Sequence, residues 1–337
     1  MPTELLATGL LLFAIAFVFV TGANDGGVLI AMGVRHAVLP VGWFVLILVA
    51  TLVVAPLAFG LSVARTLAVG LVPHHGSMAT TGFFIGIGVA LVLVSFLSRV
   101  GLPTSLTLAI IGGVTGAGQG LGLAVSWSVV ARVLVVGALA PTAGAAIGVG
   151  LARLARYLPP SPRMPRHLAR AHVAAFVLQC VAYAINDGQK MLAVAAVAGL
   201  AVTGHLTLLD GGGGPHELVM LTLTLTVIAI VFVAGMLSTL RSVTKRIGFD
   251  LVPVHPLDAV VAQYAAAVAV LGSSAAGVPV SMTQSVAAGL VGASGSRGMR
   301  RVRWHSVTRI ASAWMVTLPA AVVGAWGVGL LVHVTTA

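Results

Sequence analysis

Long apolar runs separated by short polar or charged segments divide the chain. A membrane-spanning helix needs about 20 predominantly apolar residues, so each run predicts a crossing of a bilayer. Ten crossings are predicted, with bounds at about 5–34, 41–64, 79–98, 103–119, 127–150, 172–205, 217–240, 257–275, 279–295 and 305–334. The pattern predicts an all-α integral membrane protein with two sets of five crossings.

A polar segment at 151–171 separates the two sets and combines five arginines with the stretch Pro159-Pro160-Ser161-Pro162. We interpret it as a cytoplasmic linker between a first membrane repeat, 1–150, and a second, 172–337. This placement puts 14 of the 18 basic residues in inner loops, as the positive-inside rule requires. It predicts a multi-pass protein of the cell (plasma) membrane with both chain ends outside.

The composition fits this interpretation and excludes several classes of protein. Hydrophobic residues make up 59% of the 337 residues and charged residues only 7%, whereas a soluble domain carries about 25% charged residues. The formal net charge of +11 is explained by the inner loops, so nucleic acid is not expected as a partner. The single cysteine, Cys180, rules out a disulfide within the chain, and we expect no cofactor.

The two halves carry the same motifs in the same order. Asn24-Asp25-Gly26 recurs as Asn186-Asp187-Gly188, and Pro103-Thr104-Ser105-Leu106-Thr107 recurs as Pro279-Val280-Ser281-Met282-Thr283. Trp127, with Arg132 five residues on, recurs as Trp304 with Arg309. An odd number of crossings in each half predicts an inverted repeat. Inverted repeats with broken helices and hairpin-like segments are typical of secondary transporters, whose sites lie at the repeat interface.

Asp25 and Asp187 are candidate ligands for a coupling cation, such as sodium, or a proton. Each lies deep within an apolar run, where an ionisable group costs at least about 2.5 kcal/mol and is a functional hypothesis by default. Asn, Asp and Gly disfavour the helix interior, so we expect each crossing to be interrupted there into two half-helices. Asn24 and Asn186 belong to the same candidate shell. We expect Asp187→Asn to abolish uptake without loss of folded protein.

Other polar residues extend the candidate site. Lys190 is one of two lysines and follows Gln189, and both would favour an anion. Lys190 could neutralise substrate charge or pair with an aspartate, and the alternative is a lysine that snorkels to an interface. Hydroxyls after a helix-starting proline could bind an oxyanion or a small cation, which adds Thr104, Ser105, Thr107, Ser281, Thr283 and the adjacent Gln284. Asp258 is either a cation ligand or a cytoplasmic cap.

These motifs resemble the inorganic phosphate transporter family of sodium- or proton-coupled permeases. The resemblance rests on Gly22-Ala23-Asn24-Asp25, on Asn186-Asp187-Gly188-Gln189-Lys190 and on the two hydroxyl segments, and it covers nearly the whole chain. It implies a transport domain and a scaffold, often as a homodimer, with phosphate and cations held between the two Asn-Asp motifs. The chain departs from the family at Gly26-Gly27-Val28-Leu29, where the family usually continues with Val-Ala-Asn-Ala.

The sequence therefore predicts a secondary active transporter that imports inorganic phosphate by sodium or proton symport. A sulfate permease of the same family and a passive anion channel are the alternatives within transport. An intramembrane aspartyl protease would use Asp25 and Asp187 as a pair, but the sequence offers no second protease signature. No enzyme activity is expected.

Overall fold

The computed structural model describes residues 2–34, 39–73, 76–100, 104–157, 159, 161–206, 208–209, 214–246 and 255–336. Within these ranges the regular elements are helices, without a strand. Pro103 and Pro160, which the sequence analysis named, lie outside the described residues, as does Arg35, one of the 14 basic residues assigned to inner loops. The side chains of three more of these basic residues, Arg241, Lys245 and Arg246, also lie outside them.

Helices of the first half begin with α1 (Pro2–Thr21), a π-helical turn at Gly22–Gly26 and α2 (Gly27–Val34). They continue with α3 (Val41–Phe59), α4 (Ser62–Arg65), a second π-helical turn (Thr66–Gly70), α5 (Ser77–Arg99), α6 (Leu106–Gly120) and α7 (Trp127–Leu154). The second half consists of α8 (Met164–Tyr183), a π-helical turn at Ala184–Gly188, α9 (Gln189–Thr203), α10 (Pro215–Arg246), α11 (Pro256–Ala275), α12 (Met282–Gly295) and α13 (Trp304–Thr336). The all-α prediction is confirmed.

The number of full crossings differs from the ten predicted. Among the described residues, eight helices are long and apolar enough to span a bilayer. The other two predicted crossings, 103–119 and 279–295, contain α6 with 15 residues and α12 with 14. At about 1.5 Å per residue they fall short of the roughly 30 Å hydrocarbon core. Their sequences are apolar because both helices are buried inside the protein, not because lipid surrounds them.

The predicted linker is also shorter than the polar segment suggested. Helix α7 continues to Leu154 and is followed by a 3₁₀ turn at Ala155–Tyr157, and α8 begins at Met164. The arginines of 151–171 therefore sit largely on helix ends. Charged side chains at the ends of a spanning helix extend it beyond the apolar run, because their long stems reach polar surroundings while the backbone stays helical.

Each short helix packs against the last long helix of the other half. Helix α6 lies along α13, and α12 lies along α7. Glycines allow these backbones to approach closely: a methyl group on Gly116 would overlap the carbonyl oxygen of Val322, and one on Gly292 would overlap that of Ala145. This reciprocal packing is what two related halves would produce. With four spanning helices in each half among the described residues, the odd number of crossings that predicted opposite orientations is not present. The opposite orientation of the halves now rests on the repeated motifs and stays a prediction.

The outer surface of the bundle is apolar. Leu46 and Val54 on α3, Val92 on α5, and Met315 and Val323 on α13 are each more than half exposed. Water would penalise such a surface, and lipid does not. The chain is an integral multi-pass membrane protein, and its polar side chains gather in the interior.

Candidate transport site

Both Asn-Asp motifs lie in π-helical turns, at Gly22–Gly26 and Ala184–Gly188. The residues on either side of each turn keep right-handed helical backbone angles. The expected interruption is therefore a wider turn within one continuous helical run, not a gap between two half-helices. Such turns loosen the regular i→i+4 bonding and occur frequently at functional sites. Helix ends that could face a ligand must come from elsewhere in the molecule.

The first motif connects α1 to α8 through Asp25. The Asn24 amide donates to Asp25 Oδ1 at 2.7 Å, and the Tyr183 hydroxyl donates to Asp25 Oδ2 at 3.2 Å. Ser98 of α5 donates to Asn24 Oδ1 at 3.4 Å. Asp25 is buried, whereas Asn24 is partly exposed. The carboxylate is thus held by neutral donors at the edge of the buried region.

The second motif connects α8 and α9 to the chain between α11 and α12 through Asn186. The Asn186 amide donates to Ser274 Oγ at 2.7 Å and to the Val278 carbonyl at 3.3 Å, and its Oδ1 accepts from the Val280 N–H at 3.0 Å. Asn186 is fully buried. These bonds fix the segment that leads into α12 against the π-helical turn.

Lys190 is the buried centre of the site, with only 2% of its surface exposed. Its Nζ donates to Asp187 Oδ1 at 2.6 Å, to Thr107 Oγ1 at 2.5 Å and to the carbonyl of Val280 at 2.6 Å. An ammonium group has three N–H donors, so all of them are used. The structure thus brings together three of the candidate residues, Lys190, Asp187 and Thr107.

The two hydroxyl segments meet at this lysine, because Thr107 donates to the Val280 carbonyl at 3.0 Å. Ser105 caps the N-terminus of α6 by accepting from Leu108 N–H, and Ser281 caps α12 by accepting from Gln284 N–H. The two caps have nearly the same backbone angles, φ −102° with ψ 110° and φ −102° with ψ 118°. The N-termini of α6 and α12 therefore converge beside Lys190.

Two buried polar atoms of the site have no hydrogen-bond partner among the described residues. They are Thr104 Oγ1 and Asp187 Oδ2. Thr283, in the first turn of α12, shares a hydrogen bond of 3.0 Å with the Ser281 hydroxyl. Buried polar atoms are nearly always hydrogen-bonded, so unpartnered atoms in one cluster are where a ligand could bind.

The remaining predicted residues lie at the margin of this cluster. Gln189 Oε1 accepts from the N–H groups of Val63 and Ala64 at 2.9 and 3.0 Å, and its Nε2 donates to the Gly60 carbonyl at 2.6 Å. The side chain of Gln189 therefore fixes the turn between α3 and α4. Gln284 is buried in the first turn of α12, where its N–H serves the Ser281 cap.

Asp258 lies apart from these residues, at the start of α11. Its carboxylate pairs with Arg297 at 3.1 Å and accepts from Ser294 at 3.4 Å. Of the two interpretations of Asp258, the structure favours the cap, since a cation ligand would not already be paired with an arginine.

Comparison with known proteins bears on what this arrangement does. Residues 21–178 and 159–325 match the model of the phosphate transporter family. A protein of Mycobacterium tuberculosis (strain H37Rv) named "Probable low-affinity inorganic phosphate transporter" is 30% identical over 329 residues, 94% of this chain and 76% of that protein. The chain belongs to the phosphate transporter family.

A second relative and a solved structure also match over nearly the whole chain. A protein of Rhizobium meliloti with the same name is 26% identical over 326 residues, 94% of this chain and 93% of that protein. A solved structure described as "The sodium-dependent phosphate transporter" has a TM-score of 0.78 at 17% identity and covers 99% of this chain and 100% of that one. The structural likeness confirms the fold. Membership of the family confirms a transport protein rather than an enzyme.

Sequence reasoning missed residues that complete the site. Tyr183 contacts Asp25 from the other half of the chain, and Ser274 binds Asn186. Tyr183 lies one helical turn before Asp187, so its place on the same helix face was available as a signal. Ser274 and the backbone of Val280 carry no such signal, because their roles depend on how α11 and α12 pack.

Proposed function

We propose that this member of the phosphate transporter family imports inorganic phosphate by symport with a sodium ion or a proton, through alternating access. Support comes from the family, from the names of the relatives in Mycobacterium tuberculosis and Rhizobium meliloti, and from the name of the solved structure, which includes sodium dependence. Location in the plasma membrane, both chain ends outside and a homodimer stay predictions from the sequence.

The observation that carries the proposal is the convergence of the N-termini of α6 and α12 beside the buried ammonium of Lys190. A helix N-terminus offers free N–H groups and the positive end of the helix dipole, which suits an anion. Both helices are long enough to carry such a dipole, with 15 and 14 residues. In this proposal phosphate binds at the two N-termini, and the Thr104 hydroxyl is one of its donors.

Asp187 Oδ2 gives the site a means of choosing phosphate over sulfate. Lys190 engages Oδ1, and Oδ2 is buried without a partner among the described residues. Inorganic phosphate keeps a proton at neutral pH and can donate it to this oxygen, whereas sulfate has no proton to donate. A site built to bond a hydroxyl can reject an analogue lacking it by about 10⁴-fold or more.

Asp25 is the proposed ligand of the coupling cation. Its carboxylate is buried, and the donors that reach it are neutral. A buried carboxylate is stabilised by a cation, and the π-helical turn loosens the backbone bonding beside it. The cation would therefore bind at Asp25 while phosphate binds at the adjacent helix N-termini.

Radiolabelled phosphate uptake into proteoliposomes tests the proposal. A sodium gradient, a proton gradient and no gradient are imposed in turn, each with and without excess unlabelled sulfate. We expect uptake that requires one of the two gradients and resists sulfate. Equal uptake without any gradient would indicate a passive channel, and loss of uptake with sulfate would indicate a sulfate permease.

Asp25→Asn tests the cation site in the same assay. We expect uptake to fall at least 100-fold, because the amide cannot replace the carboxylate charge, while the purified protein still elutes as a single folded species. Glu217→Gln is the matched control, since it removes one carboxylate about 22 Å along α10 from the contact of α10 with the first motif. Gradient-driven uptake at the wild-type rate in Asp25→Asn would exclude Asp25 as the cation ligand.

A further inference from the structure

The two Asn-Asp motifs differ in charge three residues after the aspartate. Aligned on Asp25 and Asp187, the first motif continues to Val28 and the second to Lys190. Lys190 Nζ lies 2.6 Å from Asp187 Oδ1, and both side chains are buried. The second carboxylate therefore has a counter-charge built into the chain, on its own helix.

Lys190 is positioned as a counter-ion and not as a direct ligand of an anion. Its three N–H donors bind Asp187, Thr107 and the Val280 carbonyl, so none is left for a substrate oxygen. Two of these partners lie in the hydroxyl segments, which hold the ammonium in place from the side opposite its own helix. The charge is thus fixed beside Asp187 by groups that have no charge of their own.

Asp25 has a different environment. Within the described residues, its carboxylate accepts from the Asn24 amide and the Tyr183 hydroxyl, and no basic side chain contacts it. The charges that act on it from further away include both Asp187 and Lys190, which oppose one another. A monovalent cation at Asp25 would leave a neutral site, whereas one added at Asp187 would leave a net positive charge in a buried position.

We propose that the ammonium of Lys190 permanently fills the cation position of the second motif, so that the cation coupled to phosphate binds at Asp25 and not at Asp187. This inference rests on the proposed function, because it assigns the coupling ratio of that symport. Because Lys190 is part of the protein, its charge moves back in every transport cycle and adds nothing to the net charge that crosses the membrane. Removing its charge opens a second cation position at Asp187.

The coupling ratio measured in proteoliposomes tests this assignment. The membrane potential at which net phosphate flux is zero gives the net charge moved per phosphate. Lys190→Met is expected to move one more positive charge per phosphate than the wild type. Asp187→Asn/Lys190→Met, which removes both charges of the pair, is expected to lower the uptake rate, because Asp187 also faces the proposed phosphate, but to return the charge moved per phosphate to the wild-type value. An unchanged ratio in Lys190→Met overturns the proposal.

A second measurement covers a variant that folds but does not transport. Purified protein is assayed for bound ²²Na⁺ at equilibrium and for the infrared band of a protonated carboxyl group. Lys190→Met is expected to gain either one bound sodium or one such band, and the double variant is expected to lose that gain. No gain of either kind overturns the proposal. Since these readouts need no phosphate flux, a wild-type protein that fails to transport phosphate contradicts the proposed function alone.

Discussion

The two Asn-Asp motifs share a sequence and a π-helical turn, but the groups around them differ. At the first motif Asn24 is partly exposed, and the donors that reach its aspartate from the described part of the chain are neutral. At the second, Asn186 is fully buried with three hydrogen bonds, and Asp187 is paired with Lys190. The comparison teaches that duplication of a motif does not duplicate its surroundings: among the described residues Asp25 has no charged partner, whereas Asp187 is paired with a buried lysine.

The difference arises from residues flanking the motif. With Asp25 aligned on Asp187, Gly27 stands opposite Gln189, and Val28 stands opposite Lys190. Gln189 binds three backbone groups of the turn between α3 and α4. Lys190 binds both hydroxyl segments. Polar side chains after the second motif thus form hydrogen bonds to neighbouring segments, whereas the aligned positions after the first motif are a glycine and a valine.

The largest expected difference between the motifs is in stability. Asp187→Asn leaves Lys190 buried without its counter-charge, and breaking a buried pair in this way costs about 3–5 kcal/mol. Asp25→Asn removes a carboxylate held by neutral donors, so the free energy of unfolding should change by no more than about 1 kcal/mol. Denaturant titration of the two purified variants in the same detergent measures the difference.

This prediction revises the expectation that Asp187→Asn would abolish uptake without loss of folded protein. The structure pairs Asp187 with Lys190, which the sequence could not fix. Asp187→Asn/Lys190→Met is the matched control, because it removes both charges and should recover most of the lost stability. Equal free energies of unfolding for Asp187→Asn and Asp25→Asn would show that the Asp187–Lys190 pair does not stabilise the second motif.

The next difference concerns the asparagines. Asn186→Ala leaves Ser274, Val278 and Val280 without their bonds to the side chain. With each lost bond in a membrane protein worth about 0.6 kcal/mol on average and up to about 1.7, the free energy of unfolding should fall by about 2–3 kcal/mol.

Asn24→Ala, the matched variant of the first motif, should cost less than about 1 kcal/mol, because the side chain is partly exposed and its contacts can be replaced by water. Denaturant titration under identical conditions compares the two. Equal losses would mean that Asn186 contributes no more to the fold than Asn24, and the contrast between the motifs would rest on Lys190 alone.

The sequence predicted the parts of the molecule that depend on local chemistry. Apolar runs predicted the helices, and the rarity of acids in those runs selected Asp25 and Asp187. The hydroxyl segments predicted Ser105 and Ser281 at helix starts as ligands, and the structure places both at helix starts, where each is the N-cap. Each of these features is encoded within a few residues of the chain.

Features that depend on distant parts of the chain could not be predicted. Tyr183 reaches Asp25 across 158 positions of the sequence, and Gln189 was taken for a substrate ligand because its backbone partners at 60, 63 and 64 carry no side-chain signal. Helices α6 and α12 were taken for full crossings, since an apolar run looks the same whether protein or lipid surrounds it.

The smallest expected difference involves the residues one turn before each aspartate. Tyr183 donates to Asp25, whereas Thr21, which precedes Asp25 as Tyr183 precedes Asp187, bonds to the Phe17 carbonyl of its own helix at 2.8 Å. Tyr183→Phe removes a donor that stabilises the cation-free carboxylate, so the cation should bind more tightly. Stability should change by about 1 kcal/mol or less.

We therefore expect the cation concentration that half-saturates phosphate uptake to fall by about 3- to 10-fold in Tyr183→Phe, since a bond worth about 1 kcal/mol is about a fivefold change in affinity. Thr21→Val is the matched control, because it removes a hydroxyl from the equivalent position without touching either carboxylate, and its half-saturation should equal that of the wild type. A tyrosine variant that saturates at the wild-type concentration would show that the hydroxyl does not act on the cation at Asp25. In that case cation binding at the first motif would be independent of the Tyr183 hydroxyl of α8.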